Sequence, residues 1–203
     1  MLVHGASAQI KALADEQHVK PSNLDGGGVT DAATLKLALT GANRLTHEIL
    51  EGLSANDLRA ACTNAVIAHP MGILQGVDHL LTGKVERVDV ELLQTLLAQG
   101  IVPVIPPLGF DGDGKTYRVN SDNVAVAVAE ALKAVKLIFI TTADGLFCQW
   151  QAHPPDAGQR IRQRCWKKPK RDFAAETLSK AQHAAAACRA GVQRVHIING
   201  QRG

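Results

Sequence analysis

The recurrent unit of this sequence is a short Val/Ile-rich run that breaks at a glycine- or acid-bearing turn and gives way to a helical pattern. Ile101–Ile105 is apolar throughout, and Lys136–Thr142 and Val192–Ile198 are rich in aliphatic residues. A strand with one solvated face alternates apolar and polar residues, so continuous runs indicate strands covered on both faces. Helical patterns occupy Asp89–Gln99, Ser121–Ala134 and about Ala174–Ala190, the last ending at Gly191. Parallel strands can be joined only by crossovers of about a dozen residues or more, usually helices. The pattern therefore predicts an α/β fold, a three-layer αβα sandwich on a mainly parallel sheet. With 203 residues, 46% hydrophobic and 20% charged, the chain can bury such a core.

The N-terminal half yields finer expectations. Leu2–His4 reads as the stub of a buried strand, followed by a helix over about Ala8–Glu16. NLDGGG at Asn23–Gly28 is a glycine loop, after which Thr30 is expected to cap a helix through about Leu50, with Asp31 in its first turn. Ser54 is expected to cap a second helix, Ala55–Ala61. Asn64–His69 reads as a strand, Val77–Val88 as a hairpin around a TGK turn, and Gly109–Gly114 as a turn cluster.

Several classes are excluded. The longest apolar runs, such as Val124–Ala129 and Leu137–Ile140, fall far below the roughly 18 residues of a membrane helix. MLVHGASAQIK has no leader pattern, and four cysteines without CxxC spacing indicate a reducing cytoplasm. The eight histidines are dispersed, so no metal site is expected. Net charge is +3, yet Cys148–Asp172 alone carries +5, leaving −2 for everything else. The fold as a whole is therefore not expected to bind nucleic acid. That segment, with its run RIRQRCWKKPKR, has neither helical nor strand period. It reads as an irregular surface insertion, as an artefact such as a shifted reading frame, or as a polyanion-binding loop.

Three places can carry chemistry. In HGASAQ, residues 4–9, small side chains between a strand and a helix let backbone N–H groups approach an anion, or merely allow tight packing. In YRVNSDN, residues 117–123, Asp122 either orients donors around a ligand or stabilises a helix N-terminus. TTADG, residues 141–145, ends a buried strand, where ligands of open α/β sheets collect, or simply reverses the chain.

Taken in order, LVHGASAQI, GVTDAATLKLALTGANRLTHEIL, the block IVPVIPPLGFDGDGKTYRVNSDNVAVAVAEALKAVKLIFIT and AAAACRAGVQRVHIINGQ resemble the amino-acid kinase family. The likeness covers nearly the whole chain outside 148–172, as a single domain. Within the family, Gly5, Ala6 and Ser7 stand where an N-acetylglutamate kinase has three glycines, and HGA-x-x-Q is closer to the amino-acid-kinase domain of N-acetylglutamate synthase. By resemblance, Gly5, Ala6, Ser7, Asn120, Asp122 and Lys180 are the ligand-binding positions, with Asp122 catalytic if the chain is a kinase. The departures are as specific. The arginine that precedes VTD in relatives is Gly28, and the first asparagine of N-x-N-A-D is Arg118.

The resemblance implies an arginine-biosynthesis protein. Its acetyl transfer from acetyl-CoA to glutamate takes place in a further C-terminal domain, with arginine as a ligand of this one. It also implies a homo-oligomer in the complete protein. The alternatives are a kinase using ATP and Mg²⁺ on N-acetylglutamate, and an inactive or non-enzymatic fragment. By the same resemblance the chain starts within the family's second strand and stops before the last strands, which makes it prone to aggregate alone. If 148–172 is an insertion or artefact, replacing Gln149–Lys170 by a short Gly/Ser linker should cost little stability or raise solubility. A loss above about 2 kcal/mol, the range of core lesions, would place it in the core instead.

Overall fold

Strand β7 (Val102–Ile105) is hydrogen-bonded on both edges to parallel neighbours, and the first half of the chain is arranged around it. On one side β1 (Leu2–Val3) pairs Leu2 with Val104 and Val3 with Ile105. On the other, β2 (Ala60–Cys62) pairs Ala60 with Val102 and Cys62 with Val104. The structure, a computed structural model, describes residues 1–142, 147–149 and 175–201. It divides into two compact units, Met1–Val124 and Ala125–Gly203.

In the first unit the crossovers are α1 (Ser7–Glu16), α2 (Ala32–Ser54) and α3 (Val90–Ala98). Ile10, Leu13 and Ala14 of α1 pack on Leu37, Ala38 and Ala42 of α2 with Leu108, all buried. The helices touch because α2 presents small residues there: a Cβ on Gly41 would lie 3.3 Å from the backbone nitrogen of Ile10. A second, mixed sheet runs in the order β6 (Gly83–Val88), β3 (Val66–Pro70), β8 (Leu108–Phe110), β9 (Thr116–Arg118). Only the β3–β8 pair in it is parallel.

The second unit holds β10 (Lys136–Thr141) parallel to β12 (Arg194–Asn199) over six residue pairs, with β11 (Phe147–Gln149) antiparallel to β12. Helix α5 (Ala175–Arg189) packs on β12 and β10, and Phe139, Ala184, Ala187, Val195 and Ile197 are buried. Helix α4 (Ser121–Ala131) opens in the first unit and continues into the second. The expected α/β architecture is therefore present, with parallel-paired strands connected by helices.

Three local expectations are corrected. Asp31, not Thr30, caps α2: its carboxylate accepts from the Thr34 backbone N–H at 2.7 Å. Thr30 is fully buried, and its hydroxyl is taken by Thr82 at 2.8 Å. No helix follows Ser54. α2 closes there with Asp57 in the left-handed region (φ 57°), and Ala60–Cys62 is a strand because its backbone pairs with β7. The hairpin lies earlier than expected, in β4 (Ile73–Leu74) and β5 (Val77–Asp78), around Gln75 and Gly76 at φ 51° and 79°. Two successive left-handed residues are what a tight hairpin turn needs, and β6 pairs with β3 instead. The segment 148–172, except for backbone pairing at 148–149, lies outside the described residues.

Replacing Asp31 with Ala should cost about 1 kcal/mol in denaturant unfolding, the usual weight of an N-cap side chain. The same bonds hold the Asp31 carboxyl below its ordinary 3.8, so this contribution is present above that pH and lost as pH falls beneath it.

Candidate functional site

Two helices begin side by side at one corner of the first unit. The backbone of β1 is extended by the His4 N–H, which donates to the Ile105 carbonyl at 3.1 Å, and the chain then turns through Gly5 and Ala6 into α1. A Cβ on Gly5 would sit 3.1 Å from the Ser121 hydroxyl at the start of α4, so the two turns approach closely and a side chain at position 5 would press on Ser121. Ala6 is the N-cap of α1 and supplies no side-chain acceptor, and the first turn of α1 contains no acid. Its N–H groups, the positive end of the helix, are left for solvent or an anion. Gly5 and Ser7 are exposed, while the Ala6 methyl is buried.

The α4 end is capped. Asn120 Oδ1 accepts from the backbone N–H groups of Asp122 (3.0 Å) and Asn123 (3.1 Å), and its Nδ2 donates to the Asp25 carbonyl at 3.0 Å. Asn120 thus serves as a cap and as a tie to the glycine loop, while Asp122 lies in the first turn, where an acid favours the helix. The structure therefore brings Gly5, Ala6 and Ser7 together with Asn120 and Asp122. Lys180 belongs to the second unit, on α5, with its ammonium 5.8 Å from the Phe139 ring centre. Thr141 ends β10 as a buried residue, whereas Asp144 and Gly145 lie outside the described residues.

Sequence reasoning passed over Asn23 and treated Arg118 only as a departure, yet these two organise the loop. Asn23 Oδ1 accepts from the Gly26 N–H at 2.8 Å, and its Nδ2 donates to the Val29 carbonyl and to Thr30 Oγ1. Arg118 is 2% exposed and donates to the Asn23 carbonyl (2.9 Å), to Asn23 Oδ1 (3.2 Å) and to the Leu24 carbonyl. Burial pulls the guanidinium pKa down, and the charge of Asp25 acts in the opposite sense. The available signal was an arginine between buried Tyr117 and Val119 at a strand end, directly before a helix cap. Among the described residues no cluster of three or more His, Cys, Asp or Glu is placed to hold a metal ion.

His4 completes the corner. It is 7% exposed, and its Nδ1 faces the Gly5 carbonyl at 3.0 Å, so Nδ1 carries the proton. Nε2 lies 3.0 Å from Thr46 Oγ1, whose single proton is shared with the Ala42 carbonyl.

The chain as a whole has clear counterparts. Residues 1–199 match the amino acid kinase family. The chain belongs to that family. It is 31% identical to the acetylglutamate kinase of Symbiobacterium thermophilum, over 99% of this chain and 73% of that protein. To the amino-acid acetyltransferase of Ralstonia nicotianae it is 32% identical, over 98% of this chain but only 46% of the relative. The N-acetylglutamate synthase of Neisseria gonorrhoeae, complexed with coenzyme A and N-acetyl-glutamate, superposes with a TM-score of 0.80 at 28% identity. That match covers 100% of this chain and 47% of the synthase. The chain thus spans about half the length of its acetyltransferase relatives. Isopentenyl phosphate kinase, at 18% identity and a TM-score of 0.58, shares the fold.

Burial lowers the His4 pKa from its ordinary 6.5. Its neutral form therefore stabilises the fold fully above that pH, and the contribution declines as pH falls below it. His4→Gln should flatten the dependence of the unfolding midpoint between pH 7 and pH 5, measured against the unaltered chain.

Proposed function

We propose that this chain is the amino-acid-kinase-type domain of an N-acetylglutamate synthase. It acts as a ligand-binding, regulatory module, while acetyl transfer from acetyl-CoA to glutamate is carried out by a separate domain of the complete protein. The observation that carries this reading is the superposition of the whole chain on less than half of the Neisseria synthase. The uncapped α1 turn at Gly5–Ser7, beside the start of α4, suits a carboxylate. One Neisseria synthase structure is complexed with N-acetyl-glutamate and another with L-arginine, so we assign an acidic amino-acid derivative or arginine as ligand. The complete protein is proposed to be a cytoplasmic homo-oligomer. No helix among the described residues is long and apolar enough to cross a membrane.

A kinase is the second reading, favoured by the Symbiobacterium relative and by Asp122 at the start of α4. Phosphoryl transfer requires cations and N–H donors held around the moving phosphoryl group. ATP and Mg²⁺ would supply the phosphoryl group and its charge neutralisation. The residues of the corner fit that group poorly. Ala6 places a buried methyl in the α1 turn, position 28 has no side chain, and the Arg118 guanidinium is committed to loop carbonyls. Each missing donor lowers a rate by roughly 10²–10³-fold, so several together put kinase activity below detection.

The test is to incubate the purified chain with N-acetyl-L-glutamate, ATP and Mg²⁺ and trap acyl phosphate with hydroxylamine. In parallel, binding of L-arginine and N-acetyl-L-glutamate is measured by calorimetry. We expect no hydroxamate and saturable binding of at least one ligand. Hydroxamate that disappears in Asp122→Asn would overturn this reading in favour of the kinase.

A further inference from the structure

Arg118 is a buried charge whose hydrogen bonds all run to the glycine loop, with the Asp25 carboxylate acting on it through its charge. The residue is 2% exposed. A buried cation of this kind persists only where other groups solvate it. Here the solvating groups are the Asn23 carbonyl, Asn23 Oδ1 and the Leu24 carbonyl, all in the glycine loop. The same Oδ1 accepts from the Gly26 N–H, so Asn23 links the cation to the fold of the loop. Two further contacts hold the loop to the segment that follows Arg118. Asn120 reaches the Asp25 carbonyl, and Gly26, at φ 77°, approaches the Val119 carbonyl so closely that a Cβ would stand 3.1 Å from it. That segment runs directly into Ser121, which meets the Gly5 turn.

From this geometry we propose that Arg118 is a positioning residue. It straps the 23–28 loop to the β9–α4 corner and holds one wall of the ligand site in place before any ligand arrives. Gly28 is part of the device. A Cβ at position 28 would lie 3.2 Å from Asn23 Cβ, so a side chain there presses on the residue that Arg118 grips. The guanidinium reaches Asn23 from β9, and the absence of a side chain at 28 leaves Asn23 free to receive it. The fork is essential, because an ammonium is a point charge and cannot direct fixed, coplanar N–H groups at two successive carbonyls. The proposal rests on the assignment of this corner as the ligand site.

The test compares the unaltered chain with Arg118→Lys, Arg118→Asn and Gly28→Ala. Amide hydrogen exchange of residues 24–28 is read beside that of α2 and β7, and calorimetry uses N-acetyl-L-glutamate and L-arginine as probes. Losing charge-assisted hydrogen bonds in a buried place corresponds to roughly a 10- to 100-fold change. Both Arg118 variants should show loop amides exchanging faster by about that factor, with α2 and β7 unchanged, and the bound probe weakened at least tenfold. Gly28→Ala, which keeps the cation, should move both readouts in the same direction by less. Should the Arg118 variants not fold, Gly28→Ala decides alone. Unchanged loop exchange in Arg118→Lys overturns the strap, and faster exchange with unchanged affinity overturns the positioning role. If the unaltered chain binds neither probe, the ligand assignment fails, and the exchange arm still decides whether Arg118 holds the loop.

Discussion

The double parallel pairing of β7 is the constraint from which the rest of the first unit follows. Parallel neighbours point their carboxyl ends the same way, so the turns after β1, β2 and β7 share one edge of the sheet. The Val102 N–H donates to the Arg59 carbonyl and the Thr63 N–H to the Val104 carbonyl, so even-numbered residues of β7 face β2. The Ile105 carbonyl accepts from His4, so odd-numbered residues face β1. Pro103, which has no N–H and is ordinarily foreign to a central strand, therefore lacks its donor on the β1 side. There the pairing begins only at Leu2 with Val104, one residue further on.

Given that edge, the helices have little choice. α1 must leave β1 immediately, and the close approach of Gly5 to Ser121 sets how tightly its first turn lies against α4. His4 fixes the turn from behind through the Gly5 carbonyl and Thr46. Burial lowers the His4 pKa against the opposing hydrogen bond to Gly5, so the ring favours its neutral form and positions the turn without adding charge. The α1 turn itself is left with backbone dipoles alone, since its N-cap and first turn carry no charged side chain.

What the sequence revealed and what it hid divide by the range of the interaction. The continuous apolar run Ile101–Ile105 was legible, since burial on both faces leaves its mark residue by residue. Asp89 before Val90 was legible as a helix start, because its carboxylate accepts from the Leu92 N–H within the same turn. Ala60–Cys62 was not: three small residues carry no strand period, and only the partner β7, some forty positions away, makes them a strand. Thr30 and Asp31 are both acceptable caps in isolation. A buried Thr82, fifty-two positions on, claims the Thr30 hydroxyl and leaves the cap to Asp31. The site divides in the same way. HGAS announced a turn that suits an anion, whereas the union of Asn23 with Arg118 spans ninety-five positions and had no local signature.

The distribution of charge at this corner also separates its two possible tasks. Holding a small carboxylate calls for a fixed set of donors and a shaped wall, and it is favoured when the wall is ordered before binding, because ordering then costs nothing at the moment of association. Moving a phosphoryl group calls for cations that can follow the charge as it develops between two oxygens. Arg118 answers the first requirement and fails the second. Its hydrogen bonds run to carbonyls of the loop, it is 2% exposed, and breaking them to reach a ligand would leave both the cation and the carbonyls unsolvated. A guanidinium placed in this way gives rigidity rather than mobile charge. The acids nearby point to the same conclusion: Asp25 is drawn into the loop fold through its carboxylate bond to the Gly27 N–H, and Asp122 lies in the first turn of α4. Arg118 and Asp25 are thus both tied into the loop by hydrogen bonds, which is the arrangement that the proposed recognition role calls for.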